Sequence, residues 1–123
     1  MIDYSIAEEY SDCVHAIALI ESNENFLAIG DEGQATGLLQ MHPSTFKQYY
    51  GLSIRFPPSN SDTWVEAQIK ACAGFFDVYH RESFDLRVQA WNLGVHAVFD
   101  MGKRDPEYLA RYTEALNRVR AHK

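Results

Sequence analysis

Glu21 closes a run in which Ile6, Tyr10, Cys13, Val14, Ile17 and Ile20 recur at helical spacing. A carboxyl there has two reasons to keep its proton: desolvation against Ile17 and Ile20, and the partial negative charge of a helix C-terminus. A carboxyl protonated near neutral pH can act as a general acid. The plainer alternative is a solvated residue at a helix end. The other chemistry-bearing types form no recognisable set. His15, His42, His80, His96 and His122 include no His-Glu-x-x-His, and Cys13 and Cys72 form no Cys-x-x-Cys, so neither a metal site nor a cofactor is expected. No nucleotide loop or nucleophile elbow is present.

The elements that must position Glu21 follow from local signals. Ser5 and Glu8 read as a capping box, and a first helix runs from about Ile6 to Ser22. From Asn23 to Gln40 the chain carries Gly30, Gly33 and Gly37 among polar residues, which predicts a long loop or small β-hairpin. Pro43 starts a short helix through about Tyr50. Asp62 is the expected cap of a second long helix with Val65, Ile69, Cys72, Phe76 and Tyr79 on its buried face. Asp85 to Leu93 reads as a helix ended by Gly94. Asp105-Pro106 opens a last helix, with Leu109, Tyr112, Leu116 and Val119 inward. Cys13 and Cys72 both fall on apolar stripes, so buried free thiols are preferred to a disulfide.

Three blocks in order resemble the lytic transglycosylase and goose-type lysozyme superfamily. They are Ala18-Leu19-Ile20-Glu21-Ser22 with the loop Ile29 to Met41, which holds Gly37-Leu38-Leu39-Gln40; Gln89-Ala90-Trp91-Asn92-Leu93-Gly94; and Asp105 to Tyr112. The resemblance spans roughly residues 16 to 115. It implies a lysozyme-like fold, mainly α with an α+β character, in which five to seven helices surround a substrate cleft. It also implies a muramidase acting on the β-1,4 bond between N-acetylmuramic acid and N-acetylglucosamine in peptidoglycan, with Glu21 as catalytic acid.

Asp31, in a Gly-Asp-x-Gly pattern similar to that of goose-type lysozymes, is the candidate second carboxylate. An inverting hydrolase needs such a base about 6.5–9.5 Å from the acid. Asp31 alternatively caps its own turn. Some relatives carry a further acid where this chain has His42. Without a working base, the muramic C6 hydroxyl attacks and leaves a 1,6-anhydro product; Asp31 tips the expectation toward hydrolysis. Candidate substrate-binding residues are Ser22, Gly37, Leu38, Gln40, Trp91, Asn92 and Tyr108. Gly37 would admit close backbone approach to the sugar or the Glu21 helix, or simply supply a turn with positive φ. Gln40 would bind sugar amides or hydroxyls, or fix its own loop. Asn92 is expected to brace the fold or a substrate N-acetyl group. Trp91 departs from the usual tyrosine, and an indole only donates. Tyr108 matches a tyrosine near the acid, with helix-start packing as the alternative.

Composition bounds the rest. The 123 residues fit a single domain over 1–123, and 46% hydrophobic with 23% charged residues excludes disorder. Eleven basic against 17 acidic residues give a net charge of −6, which argues against nucleic acid and gives no long-range attraction to an anionic wall. No apolar run reaches the roughly 18 residues of a membrane span. The start shows no secretory signal, so localisation is left open. The expected partner is the peptidoglycan glycan strand, bound by a monomer, with a larger phage or cell-envelope assembly as one route of delivery.

Overall fold

A computed structural model describes residues 2–123. The architecture is mainly helical, with one small antiparallel sheet, in agreement with the class expected from sequence. A 3-10 segment, Tyr4–Tyr10, leads into α1 (Ser11–Ser22). A hairpin follows, of β1 (Ile29–Gly30) and β2 (Ala35–Thr36), with Ile29 opposite Thr36 and Gly30 opposite Ala35. Then come α2 (Pro43–Tyr49), α3 (Trp64–Val78), α4 (Phe84–Leu93), a π-helical turn at His96–Asp100, and α5 (Pro106–Ala121).

The first helix is not continuous as expected. Glu8 breaks it with φ 53° and ψ −123°. The capping box does not form either: Asp3 accepts from Ser5 N at 2.9 Å and from its Oγ at 2.6 Å, while the Glu8 carboxylate pairs with Arg55 at 3.2 Å. Asp62 is likewise not the cap of α3. Thr63 caps it in a reciprocal box with Glu66, and Asp62 accepts from Tyr50 Oη at 2.7 Å and from Lys70 Nζ at 2.8 Å. Asn23, in the left-handed region that Asn tolerates, ends α1 directly after Ser22.

Val14, Ile17, Ile69, Cys72, Phe76 and Val88 are fully buried in one contiguous core between α1, α3, α4 and α5. Val65, Tyr79, Leu109 and Leu116 pack at its margin. Helix α5 lies along α1, which brings the start of the last helix to the end of the first. Both cysteines are buried and free, and burial pushes the Cys13 thiol up to about 12. Among the described residues no helix is long and apolar enough to cross a membrane.

Candidate active site

Glu21 and Tyr108 meet where α1 ends and α5 begins. Tyr108 Oη donates to Glu21 Oε2 at 2.8 Å. Burial raises the Glu21 pKa above the usual carboxylate range and the negative charge of Asp31 adds to this; the Tyr108 hydrogen bond and the Arg111 charge work against it without cancelling it. Arg111 itself donates to Ile20 O at 3.0 Å, capping the end of α1. Tyr108 is almost fully enclosed, and burial first, then the neighbouring Glu21, drives its phenol pKa far up. It stays a donor at any working pH.

Tyr108 is aimed by the residues behind it. Asp105 caps α5 by accepting from Tyr108 N at 3.1 Å. Asp105 is in turn held by α4: Gln89 bonds its backbone N–H at 2.8 Å and its carbonyl at 3.1 Å, and Asn92 donates to its Oδ2 at 3.0 Å. Asn92 therefore braces the fold, one of its two expected roles. Tyr108→Phe keeps the ring and removes the donor. The Glu21 pKa is expected to rise further, because the lost bond was lowering it, and stability to fall by roughly 1–2 kcal/mol. A carboxyl NMR titration and a thermal melt check both directions.

The loop above Glu21 is fastened on three sides. Ser22 Oγ donates to Leu38 O at 2.6 Å, so Ser22 ties the helix end to the loop. Gln68, fully buried on α3, accepts from Leu39 N at 3.1 Å and donates to Thr36 O at 2.9 Å. Gln40 donates from Nε2 to Ala28 O at 3.0 Å and to Gly37 O at 2.9 Å, which is the loop-fixing alternative. Leu38 corrects its expectation: its side chain is wholly in the core and offers a substrate nothing. Gly37 does permit a close approach, at φ 84°, but the close neighbour is Gln68; a Cβ there would stand 2.6 Å from Nε2.

Trp91 packs edge-on against Phe75 with centroids 5.2 Å apart. No hydrogen bond joins it to Glu21 among the described residues; the phenol at the acid comes from Tyr108. Trp91 instead lines a cleft of about 330 Å³ together with Gln48, Tyr49, Tyr79, His96 and Asp100. Aromatic faces with a few polar groups at the rim suit a sugar ring. Asp31 lies on the turn of the hairpin, its side chain 70% exposed, with Oδ2 at 3.0 Å from His42 Nε2.

Compared with family models, curated proteins and solved structures, the chain has no match. The resemblance to the transglycosylase and goose-type superfamily thus rests on the three sequence blocks alone. Three residues of this site were not anticipated in their roles. Gln68 had a visible signal, a polar residue on the apolar stripe between Val65 and Cys72. Gln89 and the pairing of His42 with Asp31 had none, because both depend on how distant elements dock.

Proposed function

We propose that this chain is a muramidase that cleaves the β-1,4 bond between N-acetylmuramic acid and N-acetylglucosamine in peptidoglycan. The observation that carries this reading is Glu21: a carboxyl at a helix end, with its pKa raised by burial and its geometry held by the Tyr108 hydroxyl at 2.8 Å. A protonated Glu21 gives its proton to the glycosidic oxygen as the bond to C1 breaks. Asp31 supplies the second carboxylate, whose charge acts on Glu21 and whose exposure gives water access. With Asp31 as base this reading keeps hydrolysis slightly ahead of anhydro-sugar formation, as the Gly-Asp-x-Gly pattern does. The cleft at Trp91, which Glu21, Asp31 and Tyr108 do not line, offers the glycan strand a stacking surface on this reading, and local contacts of this kind must supply the binding that a net charge of −6 does not.

The same cleft favours a second reading, a glycan-binding domain without turnover, since stacking needs no acid. Mass spectrometry of material released from purified sacculi separates the two. Soluble muropeptides with reducing ends are expected; anhydro products, lighter by one water, would assign transglycosylation. Binding to sacculi with no release of either product would sink the muramidase and leave the binding domain.

A further inference from the structure

Asp31 stands on a backbone that residues with a Cβ rarely adopt. Its φ is 48°, that of Glu32 beside it 56°, and that of Gln40 across the hairpin 49°. Such positions cost about 1–3 kcal/mol each, with Asp at the lower end, and persist only where the surroundings impose them. The imposing contacts are the two hydrogen bonds of the Gln40 amide, the backbone pairing of Thr36 with Met41, and the absence of a side chain at Gly30, where a Cβ would lie 2.5 Å from Gln40 Oε1. Their joint effect is to bring His42, the residue after Met41, to the hairpin turn, where its Nε2–H donates to Asp31 Oδ2 at 3.0 Å. An exposed contact of this kind contributes under about 1 kcal/mol. At that size the contact is not what holds the hairpin, whose tight connection uses positive φ in any case.

We infer that His42 is a positioning residue for Asp31, holding Oδ2 so that Oδ1, which has no protein partner among the described residues, is presented to the attacking water. The inference rests on the muramidase reading and adds a residue to it. In the step concerned, a water O–H bond breaks and its proton passes to Asp31 Oδ1. The water oxygen bonds to the sugar C1 as the C1–O bond to the leaving sugar breaks, and that oxygen takes the proton of Glu21. With Asp31 out of place, the muramic C6 oxygen bonds to C1 instead as the C1–O bond to the leaving sugar breaks, its hydroxyl proton passes to the Glu21 carboxylate that has just protonated the leaving oxygen, and the anhydro product forms.

The ratio of reducing-end to anhydro muropeptides reads this partition directly. It is measured by mass spectrometry on digests by the wild type and by H42A, H42Q, D31N and the double variant D31N/H42A, with a thermal melt of each. H42A is expected to lower the ratio about tenfold, the scale of a small misplacement of a reacting group, with an unchanged melting temperature. H42Q, whose amide can donate where the imidazole did, restores most of it. The double variant is no lower than D31N alone, because the two residues act as one unit. An unchanged ratio in H42A overturns the inference, as do proportional loss of both products with a lower melting temperature, additive effects in the double variant, or a wild type that makes only anhydro product. A wild type that releases no muropeptide at all overturns the muramidase reading itself, and this role of His42 with it.

Discussion

Glu21→Gln is expected to slow muropeptide release by about a hundredfold to ten-thousandfold, the range that removal of a general acid produces. Binding to sacculi should persist, since the amide is isosteric and Tyr108 can still donate to its oxygen. Stability should move the other way, and its sign follows from the raised pKa. Between the unfolded and the folded pKa of Glu21, the folded chain holds a proton that the unfolded chain has released. Stability thus falls as pH rises through that window, being complete below the unfolded value and lost above the folded one. The Gln variant carries no such loss, so its margin over the wild type opens across the window and then stays constant. Paired melts in steps of pH test this; a variant that melts below the wild type at neutral pH would show that burial does not penalise the carboxylate.

Gly37→Ala is the second large effect, and here the readout is stability. Its φ of 84° is strained for alanine, and the new Cβ would stand 2.6 Å and 2.7 Å from the two polar atoms of the Gln68 amide. Gln68 cannot yield freely, because moving it leaves Leu39 N–H and Thr36 C=O without partners in a buried place. A loss of about 2–4 kcal/mol is expected, the sum of backbone strain and overpacking. For a chain of this size that lowers the melting temperature by roughly 8–16 °C. A fall of less than about 2 °C would mean that the loop has room beside Gln68. Gln68→Leu should destabilise by a similar route, by orphaning the same two backbone groups.

The elements were legible wherever a local signal specified them. Pro43, Gly94 and Asp105-Pro106 mark helix ends in the sequence, and they end or begin helices in the structure. The break at Glu8 was not legible: no local signal marks its φ of 53°, and its carboxylate meets Arg55, 47 residues further on, in place of the capping role its spacing suggests. The same division runs through the candidate site. Glu21 could be picked out from its apolar neighbours and from the motif resemblance, and the residue type at position 108 from that resemblance alone. Leu38 was misread because a family motif does not say which part of a residue faces the cleft; here the carbonyl meets Ser22 and the side chain belongs to the core. Gln40 had two readings of equal standing, and the register of the hairpin, which spacing does not determine, decided between them.

The bond between Tyr108 and Glu21 joins residues 87 positions apart in a chain of 123. Acid and partner come from the first and last α-helices, so no fragment that lacks the start of α5 contains both. During synthesis, α1 and the hairpin leave the ribosome long before Asp105 and Tyr108 do, and domains complete their long-range contacts late. Until then Glu21 is an ordinary, hydrated carboxylate without its phenol. Only once the last helix has docked does the carboxyl sit buried beside Tyr108, with the raised pKa that burial gives it and the hydrogen bond that partly offsets it.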